Sequence, residues 1–163
     1  MKSGRPTEVR RWRIVCADHG HETYTYVHTD GWGRMMGRTL ENELAEFSAW
    51  DDEVFNETAD LVESLLGRRT AGCFHRVMRI ACDPSPSGLA YDFSGADWCS
   101  VCGSRRLASL GPTGEFDVID IPLVTHRHWN RLSTEEKRKR LKRALEEAGC
   151  LPLDGDDTRQ PHG

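Results

Sequence analysis

The sequence predicts an α+β fold: small antiparallel β-hairpins, an inserted acidic helical segment over residues 39–67, and a C-terminal helix over 133–148. Three observations predict it. Apolar and polar side chains alternate with a period of two over residues 10–16 and again over 22–28, the pattern of a half-buried strand. Over 39–66, Leu40, Leu44, Phe47, Val54, Phe55, Thr58, Leu61, Val62 and Leu65 fall largely three and four apart, as on one face of a helix. Ser133 and Glu136 form a capping box ahead of a charged, periodic stretch, the signature of a helix start.

In chain order, Trp12, Ile14 and Cys16 share one side of the first strand, and residues 17–21 form a compact turn into the second. The three-glycine stretch 30–37 reads as a loop. Thr39 caps the inserted segment, Ser48 and Asp51 mark a second helix start within it, and Gly67 ends it. Residues 74–82 alternate like a strand, and 83–95, with Pro84, Pro86 and Gly88, connect. Residues 105–110 and 116–121 flank a turn over 111–114, so a second hairpin is expected there. The C-terminal helix carries favourable i,i+4 pairs such as Arg143 with Glu147, and a narrow apolar stripe of Leu141, Ala144, Leu145 and Ala148. Residues 1–153 make one domain by this reading, and 154–163 a disordered tail.

A chain of 163 residues with 37% apolar side chains can bury a substantial core. This excludes a wholly disordered chain and a disulfide miniprotein. No run approaches the roughly 18 apolar residues of a membrane span. With its polar start the chain is expected to be cytoplasmic, its six cysteines serving first as thiols or metal ligands. The net charge of −4 is unevenly spread: residues 39–67 carry nine acids and no base, while 137–143 carry six bases in seven positions. A simple nucleic-acid binder has a basic total. Any such contact would therefore be a local patch, with Arg11, Arg13, Lys139, Arg140 and Arg143 as its candidates. The acidic segment would instead pack on the basic helix or attract a basic partner.

Two short motifs match each other. Cys16-Ala-Asp-His19-Gly20 and Cys99-Ser-Val-Cys102-Gly103 each place two metal-capable side chains three positions apart and then a glycine. A tight turn of this kind points both side chains at one ion, and the glycine relieves the turn where φ is positive. Zn²⁺ takes four N/S ligands in a tetrahedron, and Cys₃His is an ordinary set. The pair resembles a zinc ribbon, in which two such knuckles on two hairpins clasp one metal. The resemblance covers residues 12–27 and 98–121, and implies Cys16, His19, Cys99 and Cys102 as zinc ligands, with a spacer far longer than usual between them. His21 is a candidate substitute for His19.

Other constellations carry alternatives. Trp98-Cys99-Ser-Val-Cys102 also resembles the motif of thioredoxin-like thiol-disulfide proteins, although Gly103 follows at once where a long helix would be needed. Cys73, His75 and Cys82 offer ligands for a second metal but no evident fourth, and read as packed thiols and a strand histidine. Cys150 reads as an unpaired thiol. His126 and His128 are the candidates for a metal-dependent hydrolase or nuclease, with no carboxylate at a telling spacing. The leading expectation is a non-catalytic, zinc-stabilised binding or adaptor module with a protein partner, in a nucleic-acid-associated or regulatory assembly.

Overall fold

The computed structural model describes residues 4–95 and 97–152; the expected disordered tail lies outside them. The expected first hairpin is present. Strands β1 (Arg5–Cys16) and β2 (Glu22–His28) pair antiparallel from Val15 opposite Glu22 to Val9 opposite His28.

The second hairpin is not. Residues 107–121 form one long strand, β5 (Leu107–Ile121), which pairs antiparallel with the other edge of β1. The order is β2–β1–β5. The Gly/Pro stretch that signals a turn becomes a bulge: Arg10 faces Phe116 and Trp12 faces Pro112, so residues 113–115 stand opposite Arg11. Thr113 secures the bulge by donating from Oγ1 to the Arg11 carbonyl at 2.9 Å. Both halves of the segment find partners on one continuous β1, so the chain has no reason to fold back on itself.

The inserted segment is only half helical. The expected loop 30–37 contributes β3 (Arg34–Arg38), which pairs antiparallel with β4 (Leu44–Ser48), where a helix was expected. Thr39 does not cap a helix. Its hydroxyl accepts from the Glu43 N–H at 3.1 Å, and its carbonyl accepts from Asn42, whose φ is 66°. This tight turn reverses the chain before any helix can propagate. Gly37 is required in β3 because the Phe93 ring lies 2.5 Å from where a Cβ would stand.

The helix α1 (Glu53–Leu66) starts later, on Asp52 rather than Ser48; Asp52 Oδ1 accepts from the N–H groups of Val54 and Phe55. Gly67 ends it in the left-handed region, as expected. The expected strand 74–82 is helical: α2 (Ala71–Val77) runs into a 3₁₀ turn over Met78–Ala81. Phe74, Val77, Met78 and Ala81 are all buried, and their i, i+3, i+4, i+7 spacing is the helical period that the alternation masked. A short turn, α3 (Arg127–Asn130), precedes α4 (Thr134–Glu147), whose capping box on Ser133 and Glu136 forms as the sequence indicates.

The main core lies between β3–β4 and the helices. Phe47, Phe55, Phe74 and Phe93 meet edge-on or tilted at centroid distances of 5.0–5.2 Å, with Val62, Trp129, Leu141 and Leu145 packed around them. Each fully buried side chain among them contributes about 1.5–3 kcal/mol through its removal from water. The acidic and basic segments do meet. Glu57 on α1 accepts from Lys137 Nζ at 2.6 Å and from the Trp129 indole at 3.0 Å, and Arg138 donates to Ser64 at 2.8 Å.

A disulfide joins Cys73 in α2 to Cys150 just beyond α4, 77 residues apart. This corrects the reading of Cys150 as an unpaired thiol, and removes Cys73 as a candidate ligand for a second metal. No helix among the described residues is long and apolar enough to cross a membrane.

Candidate metal centre

The two matching motifs fold into matching turns. In the first, the Gly20 N–H donates to the Cys16 carbonyl at 2.9 Å and the Cys16 N–H to the His21 carbonyl at 2.9 Å. In the second, the Gly103 N–H donates to the Cys99 carbonyl at 2.8 Å and the Cys99 N–H to the Ser104 carbonyl at 2.9 Å. The glycines have φ of 68° and 72°, which a side chain would resist.

The long spacer is returned to β1 by specific ties. Arg38, at the end of β3, exchanges backbone hydrogen bonds with Asp92, pairs with Asp97 at 2.9 Å, and lays its guanidinium 4.4 Å from the buried Trp98 ring. The turns are then locked to each other. Ser104 Oγ donates to Asp18 at 2.5 Å, Arg106 pairs with Asp18 at 3.1 Å, and the Ala17 N–H donates to the Arg106 carbonyl at 2.9 Å.

Between the turns, donor atoms of Cys16, His19, His21 and Cys102 all lie within 4.8 Å of one another, a cluster that could hold a metal ion. Cys99 joins them from the buried side: its Sγ is 3.6 Å from His21 Nδ1, and the Cys16 and Cys102 sulfurs are 3.6 Å apart. The sequence-derived set of Cys16, His19, Cys99 and Cys102 is thus gathered in one place, and His21, held there only as a substitute, stands deeper than the exposed His19. Burial pushes the Cys16 thiol up, but the backbone N–H groups of His19 and Asp18 and the contact with Cys102 bring it down to about 7. The thiolate needed for metal binding is therefore accessible near neutral pH.

Elsewhere the candidates separate. Cys82 donates to the Met78 carbonyl at 3.6 Å, and burial pushes its thiol far up, aided by Asp52 and Asp83. Arg11 pairs with Glu115 at 3.0 Å and covers the Tyr24 ring at 4.0 Å, and Arg13 pairs with Glu22 at 2.7 Å. Both are on β1. Lys139, Arg140 and Arg143 are exposed on α4, where Arg143 pairs with Glu147 at 3.1 Å.

His126 and His128 do have carboxylates, brought from distant segments. His126 Nε2 lies 2.7 Å from Asp52 and its Nδ1 2.5 Å from the Ala81 carbonyl; His128 Nδ1 lies 2.9 Å from Asp83. His126 lines a cleft of about 750 Å³ together with Arg5, Glu46, Asp51, Glu53 and Arg127. Separations of 74 and 45 residues leave no spacing signal by which these pairs could be found in the sequence.

No family model matches the chain, and no curated protein or solved structure is found to be similar to it.

Proposed function

We propose that this chain is a non-catalytic, zinc-stabilised binding module whose zinc is held by Cys16, Cys99, Cys102 and His21, with His19 as the alternative fourth ligand. One observation carries the reading. Zn–S bonds of about 2.3 Å and Zn–N bonds of about 2.0–2.1 Å make the edges of a tetrahedron roughly 3.8 Å for S···S and 3.6 Å for S···N. The Cys16–Cys102 and Cys99–His21 edges are both 3.6 Å. Four protein ligands close the site, as in structural zinc centres, and leave no coordination position for a reacting water.

The alternatives find less support. Each nitrogen of His126 faces an oxygen acceptor, so the ring has no free nitrogen with which to act as a general base. Cys99 and Cys102 sit in a turn closed at Gly103, not at the head of a long helix as thioredoxin-like chemistry requires. A protein partner in a nucleic-acid-associated or regulatory assembly, in the cytoplasm, completes the proposal. Of the basic candidates, Arg11 and Arg13 are engaged with glutamates, which weighs toward the protein partner.

The test is the metal content of protein purified without added zinc, by elemental analysis and native mass spectrometry. One zinc per chain is expected, lost in Cys99→Ser and strongly weakened in His21→Ala, with His19→Ala weakened least. Cobalt(II) substitution should give the intense ligand-field bands of a tetrahedral, thiolate-rich site. A metal-free native protein, or a Cys99→Ser variant that keeps its zinc, overturns the assignment.

A further inference from the structure

Trp32 and Trp50 are the most exposed of the Trp, Tyr and Phe rings among the described residues, 82% and 68% accessible, and they stand together, with ring centroids 6.4 Å apart and planes inclined at 40°. Single exposed apolar residues are ordinary, but a paired set is not, and this pair is built. Gly33 has φ of 69°, and any Cβ there would stand 1.8 Å from the Trp50 indole nitrogen, so Trp50 occupies the space that only a glycine leaves. The two turns that carry the rings are joined by the Ala49 N–H donating to the Gly33 carbonyl at 2.7 Å, and the Arg34 N–H closes the first turn on Gly31 at 3.0 Å. Trp50 is therefore seated against Gly33, and the turns that carry both rings are tied together, before anything binds.

The charges around the pair say what it would take. Of the nine acids in residues 39–67, six are engaged: Glu46, Asp52, Glu57, Asp60 and Glu63 with basic side chains and Glu43 with Ser85. Among the described residues, the other three, Glu41, Asp51 and Glu53, have no such partner, and the last two lie within three positions of Trp50. Both are exposed, both line the cleft that opens beside the Trp50 turn, and Asp51 follows Trp50 directly. Asp30, two positions before Trp32, is likewise exposed and without a partner. Arg127, without a carboxylate partner, and Arg5, 3.8 Å from Glu46, stand in the same cleft, but among the described residues no cation lies over either indole, whereas Trp98 and Trp129 each have one. Indole faces attract cations, and guanidinium groups stack on them best among side chains. Neighbouring carboxylates strengthen that attraction and repel phosphates.

We propose that Trp32 and Trp50, with Asp51 and Glu53, form a docking surface for an arginine-bearing basic segment of a partner protein. This names the partner chemistry of the binding module proposed above, and rests on that reading. It is spatially separate from the metal centre: β2 begins next to His21 and runs seven residues toward Trp32, roughly 23 Å of extended chain.

The experiment titrates the zinc-loaded full chain with a short Arg-Gly repeat peptide, following tryptophan fluorescence and calorimetry, with a Glu-Gly peptide and an oligothymidylate in parallel. Saturable binding of the Arg-Gly peptide alone is expected. It should weaken about fivefold in Trp32→Ala, in keeping with the loss of one exposed cation–π contact, and further in Trp32→Ala with Asp51→Asn and Glu53→Gln. Because Trp32 is almost fully exposed, Trp32→Ala should keep its zinc and melting temperature, which separates loss of docking from loss of fold. No binding of the Arg-Gly peptide by folded, zinc-loaded protein overturns the proposal, as does equal binding by Trp32→Ala. Tryptophan-dependent binding of oligothymidylate in preference to peptide also overturns it, and makes the pair a base-stacking platform. Peptide binding by a chain that folds without zinc would sink the metal assignment while leaving this surface standing.

Discussion

His126 joins two carbonyl-side acceptors at once: its Nε2 donates to the Asp52 carboxylate at 2.7 Å and its Nδ1 to the Ala81 carbonyl at 2.5 Å. Asp52 in turn caps α1 with its other oxygen. A neutral imidazole carries one N–H, so the geometry is that of an imidazolium clamped between the start of α1 and the end of the 3₁₀ turn. Burial alone would lower the His126 pKa, but the bonds to Asp52 and Ala81 and the nearby carboxylate charges raise it. Burial would raise Asp52, and the His126 and helix N–H bonds lower it.

The sign of the pH dependence follows. With its pKa raised, His126 contributes fully below the ordinary histidine value of about 6.5, and that stability is lost as pH rises through its folded value. With its pKa lowered, Asp52 contributes above its ordinary value of about 3.9 and loses that as pH falls through its folded value. The penalty for His126→Ala should therefore be largest between about pH 4 and 6.5, at roughly 3 kcal/mol, and shrink in alkali. Melting curves of both proteins across pH check it through their difference, which cancels any acid loss of metal common to both. A pH-independent penalty would show that the ring only fills space.

Glu46 should be among the least replaceable side chains. It is 1% exposed, accepts from Arg34 and from His28 Nε2 at 2.9 Å, and has Arg5 at 3.8 Å. Burial holds His28 below its ordinary pKa, outweighing the pull of Glu46, so His28 meets Glu46 as a neutral donor at pH 7. Glu46→Leu leaves His28 without its acceptor and Arg34 without its carboxylate, with only Thr7 Oγ1 still accepting from it at 3.0 Å, and should cost about 3–5 kcal/mol; Glu46→Gln, which keeps an acceptor oxygen, should cost less. Urea midpoints at unchanged m-value measure both.

The knuckle glycines offer a clean backbone test. A Cβ at Gly20 or Gly103 meets nothing within 4 Å, yet both have positive φ. Alanine at either position should cost about 1–2 kcal/mol and loosen the metal. Gly111→Ala, equally unobstructed and with no positive φ, should change stability little. Equal effects at all three sites would remove the conformational explanation.

The Cys73–Cys150 bridge closes a loop of 77 residues. Cys73→Ser should lower stability by about 2–4 kcal/mol while leaving the metal content unchanged. Alkylation under denaturing conditions, before and after reduction, reports the bond directly. Protein prepared in a reducing, cytosol-like buffer should show both thiols alkylated and the same loss of stability.

The features legible in the amino-acid sequence are the local ones. The β1–β2 hairpin, the capping box of α4, the stop at Gly67 and the two Cys-x-x-His/Cys-Gly turns each depend on residues within a few positions of one another, and each is read correctly from spacing alone. The remaining features depend on contacts between distant segments. Residues 44–48 became a strand because Glu46 exchanges backbone bonds with Pro122 and Val124 and because Phe93 fills the space over Gly37. Residues 71–81 became helical because Phe74, Val77, Met78 and Ala81 had a core to enter. Five metal-capable side chains converge because Arg38 grips Trp98 and Asp97, bringing the second knuckle back across a spacer of nearly eighty residues. Turn and cap energies are set by neighbours in the chain, whereas burial and pairing energies are set by partners that only the folded chain supplies.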